Sequence, residues 1–238
     1  MTTFDLTLPD AASNVALDEA LLLHAEETDA FEALRFWEYP DHAVVLGAGG
    51  SVAIDVDREA CDRDGVPILR RSSGGGTVLL GRGCLLFSLI VNYRRAGELR
   101  DVNASYRWIL GRVRTALFAL EDMQHSGVSD LAINDVKFSG NAQQRKARSV
   151  LHHGTILYGF DLLAVAKYLK PPERMPAYRD GRPHAEFVRN LSAGRAEIVK
   201  RLTDVFDGSP GECPADVLAS VPGLVAEKYA RDEWTFRR

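Results

Sequence analysis

An α+β fold is predicted for this chain of 238 residues, and three observations predict it. Helix-like and strand-like segments alternate irregularly, several strands stand close enough in sequence to form hairpins, and no regular β-α-β array emerges. The composition agrees, since 46% hydrophobic and 26% charged residues are ordinary for a globular chain able to bury a sizeable core. The length allows one large domain or two small ones.

Ser13 and Asn14 are capping residues for a first helix ending near Glu27, with Val15, Leu17, Leu21 and Leu22 on one face. Leu34, Phe36 and Trp37, then Ala43 to Leu46, read as two strands separated by the turn signal Pro40-Asp41, with a flexible exit at Gly47 to Gly50. Val56 to Asp64 suits a short helix stopped by Gly65. Pro67 to Leu69 opens a polar glycine turn between apolar runs, and Cys84 to Tyr93 has the Leu, Ile, Val and Phe content of a buried strand. The clearest helix spans Asp101 to Leu120, where Tyr106, Ile109, Val113, Leu117 and Leu120 recur at spacings of three and four. Asp130 to Phe138 and Val150 to Phe160 are predicted strands around a polar loop, and Leu162 to Leu169 a helix halted by Pro171-Pro172. Arg195 to Phe206 and Ala215 to Tyr229 complete the helices. Lys170 to Pro183, carrying Pro171, Pro172, Pro176 and Gly181, is the place for a long ordered loop or a weak subdomain boundary.

Composition excludes several function classes. With 29 basic against 33 acidic residues the formal charge is −4, so no global positive field favours long nucleic acid. The N-terminus MTTFDLTLPD has an acid where a secretory signal carries basic residues, and no apolar run approaches the ~20 residues that span a bilayer. The three cysteines, Cys61, Cys84 and Cys213, have no CxxC spacing, so neither a disulfide framework nor a zinc cluster is indicated. A cytoplasmic protein that meets neither nucleic acid nor membrane is expected.

Two segments carry chemistry. Gly74, Gly75 and Gly76 remove all side-chain bulk and suit close backbone approach to a ligand. With Arg70 and Arg71 before them, they offer amide donors and a guanidinium fork to a carboxylate or phosphate; a flexible hairpin loop is the alternative. The spacing is neither GxGxxG nor GxxxxGK[ST]. In the second segment, Lys137 sits between Val136 and Phe138, so strand alternation turns its ammonium to the opposite face. Lining a pocket, it would stabilise developing anionic charge; facing solvent, it would be a plain surface residue. Ser139, Gly140 and Asn141 follow as a compact polar turn. His152 and His153 have no carboxylate or cysteine at ligand spacing, so a satisfied structural histidine is favoured over a metal ligand, and no metal is assigned.

Together these segments resemble the lipoate–protein ligase A family of the biotin/lipoate ligase superfamily. RRSSGGGTV (Arg70 to Val78) resembles its RRxSGGGxV lipoate-binding loop, DVKFSGNAQ (Asp135 to Gln143) its lysine element, and LHHGTIL (Leu151 to Leu157) the strand that follows. NVALDEALL (Asn14 to Leu22) is similar to its first helix, and KYARDEWTFRR to the segment closing its catalytic domain. The resemblance covers essentially the whole chain and implies a mixed β-sheet flanked by helices, like biotin ligases and class II aminoacyl-tRNA synthetases. The biotin-ligase activity itself is disfavoured, because that loop reads GRGRRG-like.

The reaction implied is activation of lipoate by ATP with Mg²⁺ to lipoyl-AMP. Transfer then follows to a lysine of a lipoyl domain, as in 2-oxoacid dehydrogenase E2 subunits, or of glycine-cleavage H protein. The resemblance makes Lys137 the catalytic residue. It assigns substrate binding to Arg70, Arg71, Ser73, Gly74, Gly75, Gly76, Thr77, Ser139, Gly140, Asn141, His153, Gly154 and Thr155. The nucleotide would be contacted by Asp130, in the GxxDL-like GVSDL, and by Asn134. Three departures stand out. Val78-Leu79-Leu80-Gly81 replaces the family's aromatic-His-Asp, which leaves open lipoate against octanoate. Cys84 stands where many relatives carry asparagine or aspartate; it reads as a core thiol, with an ATP-independent octanoyl or lipoyl transferase using a cysteine thioester as the alternative. The chain stops directly after the closing segment, so one catalytic domain without the C-terminal accessory domain is expected; either a separate small partner supplies that domain or the protein works alone with altered activity. A non-catalytic lipoyl-adenylate-binding module is the remaining alternative.

Overall fold

The computed structural model describes residues 1–173 and 175–238. The chain begins with β1 (Thr2–Asp5), α1 (Ala11–Glu27), β2 (Ala33–Trp37), β3 (Ala43–Leu46), the short helices α2 (Val52–Asp55) and α3 (Arg58–Asp64), then β4 (Ile68–Arg70), β5 (Val78–Leu80) and β6 (Cys84–Asn92). Helix α4 (Val102–Leu117) leads into β7 (Gln124–Ser126), β8 (Asp130–Ile133), β9 (Val136–Arg145) and β10 (Ser149–Leu157). The rest is α5 (Leu162–Tyr168), α6 (His184–Phe187), α7 (Arg195–Val205), β11 (Ser209–Pro210), α8 (Ala215–Leu224) and α9 (Asp232–Thr235).

Eight strands form one mixed sheet in the order β11-β1-β2-β6-β10-β9-β8-β7, and β4-β3-β5 form a second, smaller sheet. Strand β6 explains the layering. Its nine residues are all buried, as expected of a central strand covered on both faces. Leu85, Phe87, Leu89 and Val91 meet α4 and α7 on one face, while Cys84, Leu86 and Ile90 join α1, α8 and the small sheet on the other. Each buried Leu, Ile or Phe contributes roughly 1.5–3 kcal/mol, so the two cores fix which way every β6 side chain points. The same alternation sends Ser88 of β6 and Arg35 of β2 to the α1 face, where they meet α1's Asp18.

The predicted α+β class, mixed sheet and flanking helices are observed. Several boundaries differ for physical reasons. The α1 cap is Asp10, whose carboxylate accepts from Ser13 N at 2.8 Å; Asn14 lies inside the helix, fully buried, donating to the Leu8 and Asp10 carbonyls. Asp101 likewise caps α4 through Ala104 N. Strands β2 and β3 are not a hairpin but belong to different sheets. The segment expected to be a polar turn at Ser139 to Asn141 runs inside β9, paired antiparallel with β10, because its side chains are satisfied in a buried polar network and the true turn falls at 146–148. The last long helix changes pitch after Leu224 into a wider turn over Val225–Tyr229. The proline-rich stretch from Lys170 to Pro183 packs on β8 through Tyr178 and on the β8–β9 turn through Arg182; Arg174 within it lies outside the described residues. Among the described residues no helix is long and apolar enough to cross a membrane.

Candidate active site

A cleft opens between the small sheet and the α1 face of the large one. Its apolar walls are Val15, Trp37, Val45, Val78, Leu80 and Leu86. Its polar residues come from the glycine loop (Gly75, Gly76, Thr77), from β8 and β9 (Asp130, Lys137, Gly140, Asn141) and from β10 (His153, Gly154, Thr155). The two sequence segments that carry chemistry therefore face each other across one cavity.

Among the described residues, Lys137 is one of two cations in the cleft lining and the one not tied up in carbonyls of the glycine loop. Its Nζ lies 2.7 Å from Asp130 Oδ1, with the two side chains 27% and 11% exposed. Gly140 provides the space: a Cβ there would sit 2.6 Å from Nζ. Asn141 donates to the Ser129 carbonyl at 2.8 Å and to Ser139 Oγ at 3.1 Å, tying β9 to the turn before β8. Gly154 is needed because a Cβ would collide with Asn141 Oδ1 and the Phe87 ring.

The paired histidines divide their roles. His152 is fully buried and faces the α4 side, between Gln143 Nε2 and Asn141 Oδ1, each 3.2 Å away. Burial first and neighbouring His153 second pull it down to about 3, so it is the satisfied structural histidine that the sequence predicts. His153 faces the cleft, with Ser73 Oγ 2.6 Å from Nε2 and Asp18 Oδ2 3.5 Å from Nδ1. Burial alone would raise the Asp18 carboxyl, but the Arg35 guanidinium 2.7 Å away holds it below the usual carboxylate range.

The expectations for Arg70 and Asn134 need correction, while Cys84 lies in the core as expected. Arg70 offers no fork to a ligand: it is fully buried, and its donors go to the Gly47, Ala48, Gly50, Trp234 and Thr235 carbonyls. It ties the C-terminal segment to the loop behind the cleft. Asn134 is exposed at the tip of the β8–β9 hairpin with φ +50°, away from the cleft lining, because that tight turn needs a residue tolerant of positive φ. Cys84 is buried in the core at the start of β6, and burial pushes its thiol far up, so it is no poised thiolate.

Arg71 does line the cleft, yet it works on the loop. It donates to Val45 O, Ser73 Oγ, Gly74 O and Gly76 O at 2.6–3.1 Å, and burial lowers it to about 10, still cationic at neutral pH. Gly75, at φ +86°, could not carry a Cβ beside the Arg71 guanidinium, which would be 2.9 Å away. Ser73, Gly74 and Ser139 stand behind the lining residues. Asp18 and Tyr178 escaped the sequence reading. Two adjacent acids inside the apolar run NVALDEALL were a usable signal for Asp18; nothing in the pattern pointed to Tyr178, which donates to Asp130 Oδ2 at 2.8 Å. Among the described residues no group of three or more His, Cys, Asp or Glu could hold a metal ion.

Fold and cleft together pair an apolar slot with a glycine loop and a lysine–aspartate ion pair. A family model described as the lipoyl protein ligase A/B catalytic domain matches residues 10–203, and the chain belongs to that family. The "probable lipoate-protein ligase A" of Mycoplasma genitalium is 29% identical over 248 residues, spanning 99% of this chain and 72% of that protein. Octanoyltransferase LipM of Geobacillus kaustophilus is 26% identical over 263 residues, 95% and 94% of the two chains. The fold is shared with the bipartite lipoate protein ligase of Thermoplasma acidophilum, with a TM-score of 0.84 at 22% identity over 99% and 95% of the chains. A lipoate-protein ligase A bound with ATP gives 0.83 at 22% identity over 99% of each chain.

Proposed function

We propose that the chain is an ATP-dependent lipoate–protein ligase acting on a lipoyl domain or H protein. One observation carries the choice within the family: the described cleft residues include a fixed cation, Lys137, and no thiol. Cys61, Cys84 and Cys213 are all buried, and burial raises each thiol, Cys61 and Cys213 to about 11. A thioester route needs an accessible, ionisable thiol beside the acyl carbonyl.

The apolar walls suit the acyl chain, and the glycine-loop amides with Lys137 suit its carboxylate. Attack of that carboxylate oxygen on the α-phosphorus of ATP releases pyrophosphate and forms the mixed anhydride. The acceptor lysine amine then attacks the carbonyl, loses a proton, and expels AMP. In both steps negative charge grows on carbonyl or phosphate oxygen, where a preorganised ammonium is most effective. A magnesium ion, which commonly binds through substrate phosphates, would be carried by the nucleotide.

The test is pyrophosphate release, then AMP and a mass increase on an apo lipoyl domain, from purified protein with ATP, Mg²⁺ and lipoate. No pyrophosphate with lipoate or octanoate overturns the ligase reading. The second reading, octanoyl transfer, is favoured by the full-length match to LipM. It predicts transfer from octanoyl carrier protein without ATP, and an acyl adduct on cysteine.

A further inference from the structure

Asp130 is the residue that the family resemblance gives to the nucleotide, yet both of its oxygens are already engaged. Oδ1 lies 2.7 Å from Lys137 Nζ, and Oδ2 accepts from the Tyr178 hydroxyl at 2.8 Å. Tyr178 belongs to none of the sequence motifs; it arrives from the proline-rich loop after α5. That loop is built onto the lysine strand. Pro176 and Tyr178 pack over Gly127, Arg182 donates to the Asp135 carbonyl at 2.8 Å, Phe187 packs on the Tyr178 ring at 5.2 Å, and Arg189 N donates to the Lys137 carbonyl at 2.8 Å.

We propose that Tyr178 is a positioning residue: by holding one oxygen of Asp130 it aims the other at Lys137 Nζ and so fixes that cation in the cleft. A carboxylate held at one oxygen only can rotate about its terminal torsion. Held at both, it presents a fixed acceptor and the ammonium has one place to lie. Burial first, then the Asp130 charge, push the Tyr178 phenol well above its ordinary value, so it remains a donor and never competes as a base. Asp130 therefore acts through Lys137, not as a nucleotide ligand. The loop bearing Tyr178 thereby couples its own packing to the charge that meets the acyl carbonyl.

The catalytic meaning of this relay rests on the ligase reading, so its test has one arm that needs no activity. Competitive reductive methylation of the full chain, read by mass spectrometry, compares Lys137 with Lys146, Lys167, Lys170, Lys200 and Lys228. In Tyr178→Phe and in Asp130→Asn, labelling of Lys137 should rise several-fold while the other lysines keep their rates. The second arm is lipoate-dependent pyrophosphate exchange. Each single variant should lower kcat by about 10- to 100-fold, the scale of losing a hydrogen bond to a charged group. KM for ATP should stay within twofold, and the double variant should be no worse than Asp130→Asn. Unchanged Lys137 labelling in both variants overturns the relay. So does an Asp130→Asn effect confined to KM for ATP, or losses that multiply in the double variant. Wild-type protein without exchange would sink the ligase reading alone, and the labelling arm would still decide the relay.

Discussion

Replacing Arg70 by alanine separates what the motif implies from what the fold does with it. A ligand-gripping fork predicts lost acyl binding in a normally stable protein; the observed geometry predicts the reverse. Of the five carbonyls that Arg70 serves, those of Gly47 and Thr235 take part in buried hydrogen bonds, whereas the others are partly open to water. A buried acceptor left without a partner costs about 1–3 kcal/mol; the Gly47 carbonyl keeps the Gly50 amide at 3.0 Å, so the Thr235 carbonyl sets the loss at roughly 1–3 kcal/mol. For a domain of this size, ~2 kcal/mol lowers Tm by roughly 4–8 °C. Arg70→Lys should recover little, because a compact ammonium cannot span carbonyls from two chain segments. Scanning calorimetry measures the melting shift, and limited proteolysis should show early cleavage after Lys228, since the guanidinium that is lost holds the Trp234 and Thr235 carbonyls. A variant that melts within about 1 °C of wild type yet no longer binds lipoate in equilibrium dialysis would refute the reasoning.

Four further outcomes follow from the same geometry. Lys137→Ala should lower kcat for pyrophosphate exchange by about 10²- to 10³-fold, the range for removing one preorganised charge-stabilising donor, with Tm close to wild type. Cys84→Ala should keep full activity, and iodoacetamide should leave all three thiols of the native protein unmodified at pH 8, read by intact mass; an acyl adduct on Cys84 would restore the transferase reading. Gly154→Ala should fail to accumulate as folded protein or melt at least 10 °C lower, because its Cβ has no space beside Asn141 and Phe87. His152 titrates near 6.5 when unfolded and near 3 when folded, so the unfolded chain takes up a proton that the folded chain refuses. Its contribution to stability is complete well above pH 6.5 and is lost as the pH falls, by about 2 kcal/mol between pH 6.5 and 4.5. Urea midpoints should show this slope in wild type, and its disappearance in His152→Gln.

What could be read from residues alone was whatever local periodicity or local crowding dictates. The α4 stripe from Tyr106 to Leu117 and the continuous apolar run of β6 each state their burial directly, and both elements lie where expected. The glycines state theirs because nothing larger fits: Gly75 against Arg71, Gly140 under Lys137, Gly154 against Asn141. Arg70 was misread for a related reason. A buried guanidinium serving carbonyls and one facing a ligand look identical beside a glycine run, and the partners that settle the matter, Trp234 and Thr235, lie more than 160 positions away. The part of β9 beyond Phe138 reads as a polar turn and loop because strand propensity prices side chains one at a time, while Asn141 and Gln143 are satisfied by Ser129, Ser105 and His152 from other elements. Tyr178 had no local signal, since its partner Asp130 lies 48 residues earlier.

The buried carboxylates of α1 obey a stricter rule than the polar residues on the cleft rim. Asp18 is charged, buried and helical, a combination that is strongly unfavourable unless each lone pair is met. Arg35 meets one oxygen; Ser88 and His153 meet the other. Glu19, one residue on, is met from a different direction by Lys228, Tyr229 and Gln144. Hence α1 is pinned on one side to the large sheet and on the other to the C-terminal segment, which Arg70 in turn holds against the glycine loop. Apolar packing alone would let α1 slide along the sheet at small cost. Two adjacent buried carboxylates with separate partner sets allow one register only, and that register decides where Val15 and His153 stand in the cleft wall.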